Sequence, residues 1–229
     1  MPKTMDSVYD GILDINHDND VVLTDAKSAG ISAVIHKATE GATWQDSAFW
    51  KRRFQARALR MLWGAYHFSS GRPPRDQAKN FLEFIEYGTH QEEDAQMLLA
   101  LDWENSTSGA DMTVDDACTF VEIVHDKTGR WPVVYGSNLV AHADKVASIN
   151  CSLSKCPLWI ASYQDTPEAP SRIWKTWTFW QYTDGRHGPD PKLNKLDRNS
   201  YNGKDAAALA DAWPKLGGTM KVIPATSML

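Results

Sequence analysis

Two carboxylates close a hydrophobic segment near the middle of the chain, in the run Leu-Leu-Ala-Leu-Asp-Trp-Glu at 98–104. Because side chains alternate along a β-strand, Asp102 and Glu104 are predicted to project from the same face. Each negative charge raises the pKa of the other carboxyl, and partial burial raises both. A carboxylic acid that stays protonated near neutral pH is what a glycosidase needs for its leaving group. The simpler alternative is a pair of solvated acids where a strand meets a loop.

Composition and charge exclude several other classes of protein. With 229 residues, of which 42% are apolar, the chain can bury one large core or at most two small ones. The net charge of −5 and the lack of a Lys/Arg block argue against a nucleic-acid partner. No apolar run approaches the about 18 residues that a membrane-spanning helix needs. The N-terminal residues lack the apolar core of a secretory signal, which leaves the route of export open. We expect a monomer.

Cysteine and tryptophan carry weaker signals. Three cysteines are too few for a disulfide scaffold: Cys118 falls in a helical pattern, and Cys151 and Cys156 are either bonded or free. No Cys/His cluster has metal-ligand spacing, so neither a metal nor a cofactor is expected. Among the ten tryptophans, Trp103 and Trp180 stand beside predicted strand ends, where flat rings stack on sugars. This placement favours a carbohydrate-active protein.

Short apolar segments alternate with helical patterns, which is typical of an α/β fold with parallel strands. Strands are predicted at Tyr9–Asp14, Ile31–Lys37, Met61–Phe68, Met97–Asp102, Trp131–Tyr135, Pro157–Ser162 and Thr176–Tyr182. Helices are predicted at Asp46–Leu59, Arg75–Tyr87, Thr113–Lys127, Asn138–Ala147 and Lys204–Trp213. The helical patterns thin out after Asn150, so the predicted barrel is regular in its first half and irregular in its second. We expect one barrel domain over 1–216 and a tail at 217–229.

Polar residues recur where the predicted strands end. Asp14 ends the first strand, and the segment Lys37–Glu40 follows the second. The same holds for Tyr66 and His67, for Asp102 and Glu104, and for Tyr135. In a (β/α) barrel the carboxyl ends of all parallel strands meet at one mouth. The set therefore predicts a functional site at that mouth.

With these features the chain resembles the glycoside hydrolase family 25 lysozymes, the Chalaropsis-type muramidases. The resemblance covers about residues 8–205 and rests on eight short motifs in family order, each weak singly. They lie at 11–16, 34–41, 64–68, 101–104, 132–135, 158–163, 180–182 and 196–201. The resemblance implies a single modified TIM-like barrel of five β/α units followed by strands that lack helices. It also implies cleavage of the β-1,4 bond between N-acetylmuramic acid and N-acetylglucosamine in peptidoglycan.

The family's four catalytic acids map onto Asp14, Asp102, Glu104 and Asp197, whose carboxyls we expect to converge at the mouth. The resemblance makes Glu104 the general acid. It gives Asp102 the task of orienting the substrate's 2-acetamido group, whose oxygen then acts as an internal nucleophile. A direct carboxylate nucleophile and an inverting water stay open as alternatives. Asp14 and Asp197 have a structural alternative, as a helix cap or a loop anchor.

Further residues of the motifs are candidates for binding the glycan. They are Lys37, Glu40, Tyr66, His67, Tyr135, Tyr163 and Trp180. His67 is expected to hydrogen-bond a neighbouring acid rather than to act as a base, and Lys37 either pairs with an acid or touches sugar. The tyrosines and Trp180 are either core residues or sugar platforms.

Two rival functions match the sequence less well. A chitinase-like hydrolase also ends a barrel strand in Asp-x-Glu, but where that family has further aspartates this chain has Ala100 and Met97. A catalytically inactive barrel that only binds cell-wall glycan would be expected to lack Asp102 or Glu104, and both are present. Action on the cell wall, in the periplasm or outside the cell, is therefore expected.

Overall fold

The computed structural model describes residues 8–87, 96–148, 150–188 and 195–219. Its sheet has nine strands. They are β1 (Tyr9–Ile15), β2 (Ala33–Glu40), β3 (Trp44–Gln45), β4 (Leu62–Phe68), β5 (Leu98–Asp102), β6 (Val133–Gly136), β7 (Leu158–Ala161), β8 (Phe179–Thr183) and β9 (Asp197–Tyr201).

Eight of these strands close into a barrel. Following the hydrogen bonds from β1 through β2, β4, β5, β6, β7 and β8 leads to β9, which pairs with β1 again. Strand β9 runs antiparallel to both of its neighbours, whereas the other barrel strands pair in parallel. The two-residue β3 forms a hairpin with the end of β2. The predicted α/β barrel is confirmed.

The described α-helices are α1 (Leu23–Ser28), α2 (Phe49–Ala58), α3 (Pro74–Phe84), α4 (Val114–Thr128), α5 (Asn138–Val146) and α6 (Ala206–Ala212). Helices α1 to α5 follow β1, β2, β4, β5 and β6, which gives the five expected β/α units. In the described part of the chain, β7, β8 and β9 succeed one another without an α-helix between them. Helix α4 is capped at both ends: Thr113 Oγ1 accepts from the Asp116 amide at 3.1 Å, and Gly129 has a φ of 79°.

Three elements have no counterpart in the predictions from patterning. Helix α1 has six residues and no side-chain cap, and β3 has two exposed residues, so neither leaves a periodic signal. Strand β9 reads Asp-Arg-Asn-Ser-Tyr. Its polar composition hides it from a search for apolar strands, and its polar side chains have a use described below.

Strand alternation divides the core into two layers. One layer lies between barrel and helices, and the other fills the barrel interior with Ile12, Ala33, Ile35, Leu98, Ala100, Val133, Trp159 and Phe179. Leu209 and Trp213, in and just after α6, pack against the interior cluster, and Trp213 Nε1 donates to the Trp63 carbonyl at 3.2 Å. They close the amino-terminal end of the barrel, so the open end is the one that holds the strands' carboxyl termini.

The cysteines and the chain end complete the description. All three cysteines are free, so Cys151 and Cys156 form no disulfide. The Cys118 thiol is hydrogen-bonded to Cys151. The Trp131 amide donates to the Gly217 carbonyl at 2.8 Å, while 220–229 of the expected tail lies outside the described residues. Among the described helices, none has the length and apolar character to cross a membrane.

Candidate active site

The carboxyl end of β5 delivers two acids to the mouth. Asp102 ends the strand and is 7% exposed, while Glu104 is half-buried. Trp103 between them points the other way into the helix-facing core, where its Nε1 donates to the Met112 carbonyl at 2.9 Å. The Trp103 amide continues the pairing to β6 by donating to the Tyr135 carbonyl at 2.9 Å. The alternation predicted for Asp-Trp-Glu is therefore present, and Trp103 is a core residue rather than a sugar platform.

The pKa values of both acids are raised, which favours their protonated forms. Burial first, and then the charge of Glu104, raise the pKa of Asp102 well above its ordinary value, against the opposing charge of Lys37. Burial and the charge of Asp14 raise the pKa of Glu104. Asp102 Oδ1 is buried without a hydrogen-bond partner among the described residues. A buried carboxyl oxygen without a partner adds to the cost of ionising Asp102.

Asp14 and Asp197 form a second pair on the opposite side of the mouth. They face each other in the register of β1 with β9, and their carboxyls are hydrogen-bonded. Burial raises the pKa of Asp14 to about 6, and burial together with the charge of Asp14 raises that of Asp197 to about 9. Asp197 therefore keeps the proton near neutral pH and donates it to the Asp14 carboxylate. The charges of Asp14, Glu104 and Asp197 all act on Asp102, so the structure brings the four acids together.

Two amides complete the surroundings of Asp14. Asn199 Nδ2 donates to Asp14 Oδ2 at 2.6 Å, and Gln181 Nε2 lies 3.1 and 3.3 Å from the two carboxylate oxygens. Gln181 Oε1 accepts from the Tyr135 hydroxyl at 2.8 Å and from the Tyr163 hydroxyl at 2.9 Å. Neither amide is among the residues predicted from the sequence, although Gln181 lies in the motif at 180–182 and Asn199 in the motif at 196–201.

The end of β2 supplies a cation. Lys37 Nζ lies 2.6 Å from Glu40 Oε2, and it also lies over the rings of Trp44 and Phe68, at 4.9 and 4.5 Å from their centroids. Lys37 is therefore paired with an acid, Glu40, and its contact with a sugar stays a prediction. Trp44, on β3, is 38% exposed and was not among the sequence candidates.

The predicted tyrosines lie at the site. Tyr66 and Tyr135 belong to the cluster that fills the barrel interior, and burial followed by the charge of a nearby acid raises the pKa of both well above the ordinary value. Tyr163 is 39% exposed at the mouth, with its ring stacked 6.2 Å from that of His187. It is the predicted tyrosine that is most open to a ligand.

His67 and Trp180 are placed away from the site. His67 is fully buried in the helix-facing layer, where its ring stacks 5.0 Å from Phe120 and its nitrogens contact Thr39 Oγ1 and Gln77 Oε1 at 2.7 and 3.1 Å. The expectation that His67 bonds an acid is wrong, and burial lowers its pKa to about 4. Trp180 is also fully buried in that layer. Strand alternation turns both side chains outward, because their neighbours Tyr66 and Gln181 point inward.

A groove of about 960 Å³ adjoins the mouth. It is lined by Glu40 and Trp44 on one side and by residues of the segments 70–73 and 106–110, which follow β4 and β5. Within the described ranges, no group of three or more His, Cys, Asp or Glu side chains is arranged to hold a metal ion. The polar groups that the structure places at the mouth are the acids, amides and tyrosines described above.

Comparison with known proteins decides which class of enzyme this arrangement serves. The sequence profile of glycosyl hydrolases family 25 matches residues 9–190. The chain belongs to this family. It is therefore a glycoside hydrolase. Lysozyme M1 of Streptomyces globisporus is 29% identical over 208 residues, which cover 86% of this chain and 69% of that protein.

Solved structures of family 25 enzymes share the fold. A muramidase from Acremonium alcalophilum is 29% identical, with a TM-score of 0.70 over 90% of this chain and 98% of that one. A bacterial lysozyme from Streptomyces coelicolor is 27% identical, with a TM-score of 0.71 over 91% of this chain and 98% of that one. The barrel described above is the fold of these family 25 relatives.

Proposed function

We propose that this peptidoglycan hydrolase is a muramidase that cleaves the β-1,4 bond between N-acetylmuramic acid and N-acetylglucosamine. The observation that carries the proposal is the pair Asp102 and Glu104, two acids on one face of β5 whose pKa values are both raised at an open mouth. Membership of family 25 and the likeness to lysozymes and muramidases support the same substrate.

Glu104 acts as the general acid. Its raised pKa keeps the proton available, and its half-buried carboxyl stays open to the substrate on one side. The proton passes to the glycosidic oxygen as that oxygen leaves the anomeric carbon. Glu104, now ionised, then accepts a proton from the water that completes hydrolysis.

Asp102 holds the 2-acetamido group of the sugar whose bond is broken. Its carboxyl, 7% exposed at the end of β5, is an acceptor for the acetamido N–H, and that contact aims the acetamido oxygen at the anomeric carbon. The oxygen attacks the carbon as the leaving group departs, which gives an oxazolinium ion that water reopens. Retention of anomeric configuration and the absence of a covalent sugar on the protein distinguish this route from an inverting water and from a carboxylate nucleophile.

Asp14 and Asp197 support the reaction from the facing side. The negative charge of Asp14 faces the site and stabilises the positive charge that develops at the anomeric carbon. Asp197 donates to Asp14 and keeps that carboxylate in place. Lys37, Glu40, Tyr66, Tyr135 and Tyr163 are proposed to bind the glycan, whereas the buried His67 and Trp180 leave that set.

The glycan strand is the proposed partner. The protein acts on the cell wall, in the periplasm or outside the cell, as a monomer with its catalytic domain over 1–216 and with no nucleic-acid partner. The groove of about 960 Å³ beside Glu40 and Trp44 is proposed to hold sugars beyond the bond that is cleaved.

Reducing-end analysis tests the proposal. Purified peptidoglycan is digested, reduced with borohydride and examined by mass spectrometry, with Glu104→Gln as the matched variant. Muramitol ends in the wild-type digest support a muramidase. Glucosaminitol ends indicate a glucosaminidase, released peptides indicate an amidase, and either result contradicts the proposal.

A further inference from the structure

Gln181 connects two tyrosines, the buried Tyr135 and the partly exposed Tyr163, to Asp14. Its side chain is 2% exposed, and every polar atom of its amide has a partner: two hydroxyls at the oxygen and one carboxyl at the nitrogen. The hydroxyls of Tyr135 and Tyr163 both donate to Oε1, so the amide cannot rotate without losing both bonds. This fixes Nε2 towards Asp14, whose carboxylate accepts its proton.

The hydrogen bonds from Gln181 and Asn199 favour the ionised form of Asp14. Burial alone raises the pKa of Asp14, and the bonds from Asn199 and then Gln181 oppose that rise. The charge of Asp14 in turn is the one charge that, after burial, raises the pKa of Glu104. A path of direct contacts and one charge–charge interaction thus leads from Gln181 to the proton of Glu104.

We infer that Gln181 is a positioning residue: it holds Asp14 as an anion, and through that charge it keeps on Glu104 the proton that the reaction uses. The inference rests on the proposed role of Glu104 as the general acid. Gln181 itself touches neither the reacting atoms nor the proposed groove. Its position is set by β8 pairing with β9, where Gln181 stands opposite Asn199.

Other charged and titratable groups lie around Asp14 and the acids that it contacts or acts on. They are Asp197 on β9, Asp102 and Glu104 at the end of β5, Asp184 after β8, Lys37 on β2, and the hydroxyls of Tyr66, Tyr135 and Tyr163. Lys37 acts on Asp102, where its positive charge opposes the rise in pKa. The neutral amides of Gln181 and Asn199 are therefore the main groups that stabilise the charge of Asp14 directly.

The test measures titration and rate separately. Carboxyl carbons of aspartate and glutamate are labelled with ¹³C, and their shifts are followed by NMR from pH 3 to 10 in the wild type and in Gln181→Met. The amide N–H is lost, so the pKa of Asp14 rises by about one unit, since a hydrogen bond to a charged group is worth about that much. The pKa of Glu104 falls, because Asp14 is then less often charged. The alkaline limb of kcat/KM moves to lower pH by a smaller amount, because only the charge of Asp14 connects the two groups.

Controls separate a positioning role from a structural one. Gln55→Met, on an exposed position of α2, should titrate and turn over as the wild type does. A purely structural role for Gln181 would lower kcat at every pH without moving the limb, and would overturn the inference. If Gln181→Met does not fold, the double variant Tyr135→Phe/Tyr163→Phe keeps both rings and frees the amide. It should shift Asp14 in the same direction.

The two proposals fail differently. An Asp14 titration that is the same in the wild type and in the variant overturns the role of Gln181, whatever the activity. A wild type that releases no reducing ends overturns the proposed function. In that case the NMR titration still decides whether Gln181 holds the charge of Asp14.

Discussion

Asp14 and Asp197 lie directly opposite each other across the antiparallel pair β1 and β9, and their carboxyls share a hydrogen bond. Two acids in contact inside a barrel mouth cannot both be ionised cheaply. The ordinary pKa of both is 3.8, and in the folded chain it is about 6 for Asp14 and about 9 for Asp197. The folded state therefore holds protons that the unfolded chain releases at lower pH.

This difference makes the site a source of pH-dependent instability. An acid whose pKa is raised by folding stabilises the native state at low pH, and that contribution is lost as the pH rises between the unfolded and folded values. For Asp197 the window extends from about pH 4 to about pH 9. Asp197→Asn is neutral at every pH, so between pH 5 and pH 8 its free energy of unfolding should gain at least about 1.4 kcal/mol, the worth of one pKa unit, relative to that of the wild type. Urea denaturation at pH 5 and pH 8 measures the change.

A surface aspartate provides the comparison. Asp211 has a side chain that is 78% exposed on α6, and Asp211→Asn should leave the slope of stability against pH close to that of the wild type. If Asp197→Asn follows the wild-type slope as well, Asp197 is not the group that retains a proton in the folded state.

Glu104→Gln tests the general acid. The amide cannot give up a proton to the leaving oxygen, so turnover on peptidoglycan should fall by about 10² or more. Circular dichroism and the melting temperature should stay near the wild-type values, because the change keeps the size of the side chain. Glu83→Gln, at a side chain 68% exposed on α3, should keep full activity. A Glu104→Gln protein that clears wall suspensions at close to the wild-type rate would remove Glu104 from its proposed role.

Asp102 is tested by a variant and by an inhibitor. Asp102→Asn replaces one carboxylate oxygen by a donor and should lower kcat more than it raises KM, because the acetamido group is still bound but is no longer aimed. A thiazoline analogue of an N-acetyl sugar, which resembles the oxazolinium ion, should inhibit the wild type competitively and the variant less. Mass spectrometry that finds a sugar attached to Asp102 would contradict the substrate-assisted route.

The positions of Asp14, Asp102 and Glu104 could be predicted from the sequence because two simple rules determine them. Parallel strands place their carboxyl ends at one edge, and a period of two sets which residues share a face. The same rules did not reveal which face is which. Both faces of a barrel strand are buried, so Phe179, Trp180 and Tyr182 look alike in the sequence although Trp180 and Tyr182 face the helices.

This ambiguity explains the particular errors. The sequence predicts His67 beside Tyr66, and Trp180 in place of Gln181, as site residues. Only Tyr66 and Gln181 point into the barrel. One inward residue known for each strand would have fixed the rest: Ala100 and Asp102 share a face on β5, and by the same alternation so do Phe179 and Gln181 on β8. Trp44 could not be found this way, since a two-residue strand has no period.

Trp44 presents an exposed ring beside the mouth, and we expect this ring to bind the glycan. Its indole is 38% exposed and lines the groove next to Glu40. Lys37 Nζ lies 4.9 Å from the ring centroid, and the His17 ring is 5.2 Å away. These two neighbours hold the ring in one orientation, so a sugar can stack on it at little entropic cost. Trp44→Ala should raise KM about 10-fold, the equivalent of about 1.4 kcal/mol, with kcat changed much less.

Trp50 makes the matched control, because its side chain is 37% exposed but lies on α2 against Phe49 and Phe84, away from the groove. Trp50→Ala should leave KM unchanged while lowering stability through the lost ring contacts. Kinetics on soluble glycan fragments of increasing length sharpen the comparison. The effect of Trp44→Ala should grow once the fragment is long enough to reach the groove and then level off. Equal KM values for the two variants at every length would show that Trp44 does not contact the glycan.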